Sequence, residues 1–377
     1  MLKWIEVDSK ALLHNLSLIR SLVKKKSKVI FVVKANAYGH GIEQVVKITE
    51  KSNLVDWYGV NSIEEAIKLR KLGVKKEILI LGYVERGLIE EGIKNNVRFT
   101  VYEPSYIFEL DKKAKKIKKK AYFHLKLETG TGRQGIEKKD WKFFKKVLKK
   151  IEYAKFEAVS SHFANIEDTT DHSYAEYQLK RFNSFCKLIK NDGFSPLKHF
   201  SCSASTLLFP KTHLDFVRVG ISAYGYWPSK ETHLSFLLKY KNELELKRVL
   251  SFYTKVAQIK TLKKGSFISY GLTYKTTQKT KIAVLPVGYF DGIDRKLSNT
   301  GYFLIKGERV PIRGRVCMNI VLVDVSHIKS VNSEEKVTLI GRDGKEIISA
   351  DDWAEKIGTI NYEIISRLSP EIPRIVK

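Results

Sequence analysis

Val29-Ile30-Phe31-Val32-Val33-Lys34-Ala35-Asn36-Ala37-Tyr38-Gly39-His40-Gly41 holds one lysine between an apolar run and a small-residue loop. The run 29–33 is short and rich in β-branched residues, the pattern of a buried strand. A strand-end lysine ordinarily lays its stem along the apolar surface and lifts its amine to water. Desolvated instead, the amine sheds its charge and becomes a nucleophile. The chemistry that suits such a lysine is a Schiff base, of the kind made with pyridoxal phosphate (PLP).

Outward from this run the chain alternates. Strand-like segments recur at 29–33, 57–60, 78–81, 97–102, 121–127, 156–162, 197–201 and 216–219. Amphipathic helical segments fall between them, at 62–72 with Ile63, Ala66, Ile67 and Arg70 at helical spacing, and at 138–150 with Trp141, Phe144, Val147 and Leu148 on one face. An earlier helix is capped by Asp8 or Ser9, with Leu12, Leu13, Leu16, Ile19 and Val23 as its stripe. Eight strands, each followed by a helix, predict an α/β fold with an N-terminal TIM-type (β/α)8 barrel over 9–228. After Pro228 short alternating runs appear at 249–259, 281–286, 302–305, 310–312, 321–325 and 337–340, separated by glycine turns. They predict a C-terminal all-β domain over 229–377, joined by the N-terminal strand within 1–8 and ending in a short helix at 353–357.

The chain has 377 residues and 43% hydrophobic content, enough for one large and one medium domain and against disorder. Cys186, Cys202 and Cys317 are scattered and form no CxxC pair, which points to a reducing compartment and no thiolate metal site. No apolar signal core opens the chain and no apolar run is long enough for a bilayer, so a cytoplasmic protein without a membrane partner is expected. The net charge of +27 raises nucleic-acid binding. Its lysines are dispersed, however. The densest run, 112–120, lies on an expected helix tail where cations suit the helix dipole. No aromatic-interleaved basic motif accompanies it, and no nucleic-acid partner is expected.

A barrel of this kind carries its function at the C-terminal strand ends. Lys34 stands at the first, Lys126 near the fifth, His162 at the sixth, Ser203 after the seventh and Arg218 at the eighth. Ser203 offers a hydroxyl and Gly220 and Ile221 offer backbone N–H groups where such barrels bind phosphate, with Tyr38 within reach from the first loop. His124, His162, His172 and His199 show no metal-ligand spacing. Ser203 lies in no nucleophile elbow. Gly130-x-Gly132-x-x-Gly135 lacks the context of a dinucleotide fingerprint.

In this order the residues resemble the alanine racemase family of PLP enzymes. The resemblance covers nearly the whole chain. Its motifs are Val33-Lys34-Ala35-Asn36-Ala37-Tyr38-Gly39-His40-Gly41, His124-Leu125-Lys126 with Gly130-x-Gly132-Arg133-x-Gly135, and Arg218-x-Gly220-Ile221-x-x-Tyr224-Gly225. In the second domain they are Ser269-Tyr270-Gly271-x-Thr273-Tyr274, Pro286-Val287-Gly288-Tyr289-x-Asp291-Gly292, Gly314-Arg315-Val316-Cys317-Met318-Asn319 and Thr359-Ile360-Asn361-Tyr362-Glu363. The resemblance implies a homodimer that shares its active sites and supplies D-alanine for peptidoglycan. Lys34 would carry PLP and act as one base, and Tyr270, from the partner subunit, as the other. Tyr38, Ser203, Gly220, Ile221 and Tyr362 would hold the phosphate. Arg218 would meet the pyridine nitrogen, with His162 linking it to Tyr270. Arg133 and the main chain of Met318 would take the substrate carboxylate. Lys126 matches a position often carbamylated, one that orients Arg133, and Tyr289 and Arg295 match the substrate entrance.

Racemisation removes a Cα proton on one face and returns one on the other, so two opposed groups are needed. Lysine and tyrosine have reference pKa values of about 10.4 and 10, and each must be tuned. An arginine at the ring nitrogen does not give up its proton. The ring then stays a weaker electron sink, which suppresses transamination. Fold-related PLP decarboxylases favour a carboxylate there. Other readings are a broad-specificity racemase acting on serine or lysine, and a non-catalytic PLP-binding protein that needs only the barrel. The chain departs from the family pattern at Cys202, usually asparagine, at Glu128, usually aspartate, and at Ser366, often cysteine.

Overall fold

The computed structural model describes residues 1–377. They divide into two compact units, one of Leu12–Ala35 and Val46–Lys247, the other of Met1–Ala11, Asn36–Val45 and Arg248–Lys377. The first strand, β1 (Lys3–Val7), belongs to the second unit. The next eight are β2 (Lys28–Val32), β3 (Trp57–Val60), β4 (Glu77–Ile80), β5 (Val97–Val101), β6 (Ala121–Lys126), β7 (Ala154–Ser160), β8 (Leu197–Ser201) and β9 (Phe216–Val219). They form a closed parallel barrel in chain order, and β2 shuts the ring against β9 with Ile30 opposite Arg218. All eight strands expected from the sequence are present, with ends displaced by no more than about two residues, the usual uncertainty of such boundaries.

Helices connect the strands. The helix Ile63–Lys71 starts at Ser62, whose side chain accepts from the Glu65 N–H. Its buried face is Ile63, Ala66 and Leu69. Arg70, expected on that face, instead sends its guanidinium to the carbonyls of Val74, Lys76 and Asn95 at 2.8–2.9 Å and ties the following turns together. The basic run continues the helix Pro104–Lys116 to its end, as expected, and Lys115 and Lys116 pair with Glu152 and Glu90. The barrel unit runs on to Lys247, past the boundary read at residue 228. The helix Lys230–Tyr240, which lacked a clear apolar stripe in the sequence, packs Phe236 with Leu207, Leu208 and Leu244 and so belongs to the barrel unit.

The second unit is built on two sheets. Its strands are β10 (Leu250–Lys255), β11 (Gln258–Leu262), β12 (Thr280–Leu285), β13 (Tyr302–Ile305), β14 (Glu308–Pro311), β15 (Val321–Asp324), β16 (Lys336–Asp343), β17 (Glu346–Ile348) and β18 (Arg374–Val376). One sheet has the order β14-β13-β16-β10-β1-β18, with β17 on β16, and the other is β11-β12-β15. The single strand expected at 249–259 is two strands in different sheets. The chain changes partners at Val256 and Ala257, whose N–H groups donate to Glu335 and Val284. Besides Ala350–Ile357, near the expected 353–357, the unit contains the helix Asn361–Ser366, which was not expected. No helix is long and apolar enough to cross a membrane.

Candidate active site

Directly after Lys34, Ala35, Asn36, Ala37 and Tyr38 take φ values of 52–53°, and Gly39 follows at 79°. This is a left-handed turn of four residues with side chains, a conformation that costs about 1–2 kcal/mol for each. Local bonds hold it. The Gly41 N–H donates to the Asn36 carbonyl at 2.9 Å, and the Ile42 N–H donates to the Asn36 Oδ1 at 2.9 Å. The fully buried His40 lies with Nδ1 2.9 Å from the Tyr38 carbonyl and 3.1 Å from that of Ala37, so this nitrogen carries the proton. Burial brings His40 down to about 4, which keeps it neutral.

In the barrel unit a cavity of about 450 Å³ is lined by Lys34, Lys126, Arg133, His162 and Arg218, together with Asn61, Thr100, Ser160 and His199. No carboxylate lines it. Burial lowers the Lys34 amine pKa, Arg133 lowers it further, and Glu65 opposes the shift. Burial takes Lys126 well below the lysine range, with Arg218 and Arg133 adding to the effect. His162 is lowered well below its usual value by burial and then by Arg218. Arg218, brought by burial to about 10, keeps its charge at neutral pH. Its Nη2 donates to the Ser161 carbonyl at 2.7 Å and lies 3.2 Å from His162 Nδ1. The loop that carries Arg133 wraps a carboxylate: Glu128 accepts from the N–H groups of Gly130, Thr131 and Gly132 at 2.5–3.1 Å. Burial pulls Glu128 upward, but those N–H groups outweigh it and hold the carboxyl below its usual value.

Beyond β8 and β9, the Ser203 hydroxyl accepts from the Gly220 N–H at 3.0 Å, and Ile221 opens the next turn. Cys202 precedes them, buried, with its thiol pushed up to about 12 by that burial, and its N–H donates to Ser205 Oγ at 2.8 Å. The turn therefore closes through backbone and Ser205, without the usual asparagine.

The other expected residues lie in the second unit. The Tyr38 and Tyr362 rings are 6.0 Å apart. Tyr270 is 72% exposed, on a turn where Ser269, Gly271 and Leu272 have φ of 51–71°. The Ser269 hydroxyl donates to the Arg315 carbonyl at 2.6 Å and anchors that turn. The Tyr289 and Phe290 N–H groups donate to the Cys317 and Met318 carbonyls at 3.0 Å, so the expected entrance and carboxylate-binding segments are laced together. Arg295 starts the short turn that follows.

Asn61, Thr100, Ser160 and His199 were missed as cavity residues. Each lies on or just beyond a barrel strand, so the rule that singled out Lys34 and Arg218 could have found them. His124 and His199 were weighed only as metal ligands. They are bonded to each other at 2.9 Å.

Residues 7–228 match the family model described as alanine racemase, N-terminal domain, and residues 249–376 match alanine racemase, C-terminal domain. An alanine racemase of Leptospira interrogans is 38% identical over 99% of this chain and 95% of its own length. One from Methanococcus maripaludis is 39% identical over 99% and 98%. Among solved structures, alanine racemase of Clostridium difficile 630 superposes with a TM-score of 0.92 at 32% identity, covering 100% of this chain and 96% of that one. The enzyme from Bacillus anthracis, solved with bound L-Ala-P, gives 0.92 at 36% identity, covering 100% and 95%. Two domain matches that together span most of the sequence, and full-length relatives near 40% identity, show that the chain belongs to the alanine racemase family, enzymes that interconvert the two enantiomers of alanine.

Proposed function

We propose that the protein racemises alanine with PLP held on Lys34, using Lys34 and the partner subunit's Tyr270 as opposed bases in a cytoplasmic homodimer that supplies D-alanine for peptidoglycan. One observation carries the cofactor assignment. The cavity gathers a depressed lysine amine and two arginines with no carboxylate among its lining residues. Such a site favours an anionic ligand that reacts with an amine. Arg218 fits a ring nitrogen, because a guanidinium donates a hydrogen bond there without surrendering its proton. Ser203 and Ile221 offer a hydroxyl and an N–H group to a phosphate, and the resemblance assigns Gly220, whose N–H donates to Ser203 Oγ, and Tyr38 and Tyr362 to the same phosphate.

PLP, once bound, supplies the electron sink that lets a Cα proton leave. The Lys34 amine takes or returns that proton on one face. The Tyr270 phenol does so on the other, and its exposed place on a strained turn supports a role toward a second subunit. Leu272, Phe290, Met318 and Ile320 of the same unit are exposed as well, apolar surface of the kind an interface covers. Arg133 receives the substrate carboxylate, together with the main chain of Met318, and Tyr289 and Arg295 frame the entrance. Burial, with Arg218 and Arg133 beside it, lowers the Lys126 pKa and so favours the neutral amine that carbamylation requires. Addition of carbon dioxide would release one proton and leave an anion to orient Arg133.

The test is one preparation. Purified protein should be coloured, should convert L-alanine to D-alanine and should sediment as a dimer, and Lys34→Ala should remove both colour and activity. A colourless protein, one that only decarboxylates, or one that prefers serine or lysine would overturn the reading.

A further inference from the structure

The barrel interior is unusual in being charged. Such interiors are ordinarily filled with layers of branched aliphatic side chains, and buried ions are costly unless paired and hydrogen-bonded. Here a continuous chain of polar groups crosses it. Arg218 Nη1 lies 2.6 Å from His199 Nδ1, His199 Nε2 lies 2.9 Å from His124 Nδ1, and His124 Nε2 lies 3.0 Å from Glu157 Oε2. Glu157 continues to Arg98 Nε at 3.3 Å, and Arg98 is paired with Glu77. Arg98 sits over the rings of Trp57 and Tyr122 at 5.0 and 4.9 Å.

The ladder is bent to make this chain. The β6–β7 pairing shifts register between Phe123 and His124, and the β8–β9 pairing shifts between His199 and Ser201. Such irregularities re-aim side chains, and both occur at the two imidazoles.

We propose that His199, His124 and Glu157 are positioning residues for Arg218: they form a one-way chain of hydrogen bonds that locks its guanidinium and ends on the Glu157 carboxylate. The proposal rests on the reading above, in which Arg218 serves the cofactor ring. The direction follows from donor inventory. A guanidinium only donates, so His199 Nδ1 accepts and its proton lies on Nε2. His124 Nδ1 then accepts, its proton lies on Nε2, and Glu157 accepts at the end. Both histidines are shifted down by burial, which keeps each neutral with a single N–H. Guanidinium groups terminate the relay at Arg218 and Arg98 and retain their protons. No net proton passes; orientation and polarisation do.

Neutron diffraction from deuterated holoenzyme crystals reads the proposal directly. Deuterium is expected on Nε2 of His199 and of His124 and absent from both Nδ1 atoms. Deuterium on either Nδ1 overturns it. Glu157→Gln keeps the shape but removes the charge, and its amide can donate to His124 and reverse both tautomers. In that variant kcat should fall about tenfold while KM for alanine stays within about twofold, the scale seen when an orienting partner is lost. An unchanged kcat overturns the proposal. Should the variant not fold, the proton positions of the unmodified protein decide alone. They do so even if the protein proves not to racemise alanine, so the two readings fail separately.

Discussion

If Tyr38 holds the cofactor phosphate as proposed, Gly39→Ala should weaken cofactor binding. A Cβ on Gly39 would stand 1.8 Å from the Ile365 carbonyl oxygen and 2.8 Å from its carbon. These are backbone atoms of the helix Asn361–Ser366, which carries Tyr362, so no rotamer change relieves the clash. The φ of 79° adds a left-handed penalty of about 1–2 kcal/mol for a residue with a side chain. Overpacking adds about 1–3 kcal/mol. The Gly39 carbonyl also accepts from Arg374 Nη2 and Nε at 3.0 and 3.2 Å, and Arg374 Nη1 binds the carbonyls of Ser369 and Ile372, so a displaced Gly39 disturbs that staple. The sum is about 2–5 kcal/mol, and at 1.4 kcal/mol per decade it weakens PLP by about 30- to 3,000-fold if the Tyr38 loop takes up the strain. Titration of cofactor-free protein with PLP, followed by absorbance, measures this. Affinity within about threefold of the unmodified protein, together with an unchanged melting temperature, would refute the reasoning.

Tyr270→Phe removes one proton-transfer group and leaves Lys34 in place, so the colour should persist while conversion falls by about 10²–10⁴ in at least one direction; normal racemisation by this variant would sink the two-base assignment. Lys126 has a pKa lowered by burial and by its arginine neighbours. The unfolded chain therefore binds its proton more tightly, and this lysine's contribution to stability rises with pH between its folded value and about 10.4. Lys126→Met should accordingly melt higher than the unmodified protein at neutral pH with carbon dioxide excluded, the gap closing as pH rises toward that limit. A gap that widens with pH would contradict the assignment.

The periodicity of short apolar runs determined the barrel, because a parallel strand buried on both faces writes itself as a local run of Val, Ile and Phe. The same locality exposed Lys34, Lys126 and Arg218, since strand ends follow from strand positions. Tyr270, Met318 and Tyr289 emerged only through resemblance. A tyrosine in a glycine turn has no periodic signature, and nothing in one chain shows what a second subunit brings. The helix Lys230–Tyr240 and the split at Val256 and Ala257 were hidden because the first packs without a clean stripe and the second is a change of hydrogen-bond partner.

Two features were decided by tertiary structure alone. Ala35, Asn36, Ala37 and Tyr38 are three small residues and an aromatic, and of these only Asn36 is of a type that favours positive φ. The bonds of Asn36 and His40, the Ala35 N–H donated to Glu65 Oε1 and the close approach of Gly39 to Ile365 help hold them there. Likewise His124, Glu157 and His199 read as isolated polar residues in separate strands. Barrel closure and two register shifts bring them into one chain behind Arg218. Sequence determined which residues are apolar and therefore which segments pair. The polar relay depends on where those pairings slip by a residue, and that is settled by packing among strands far apart in the chain.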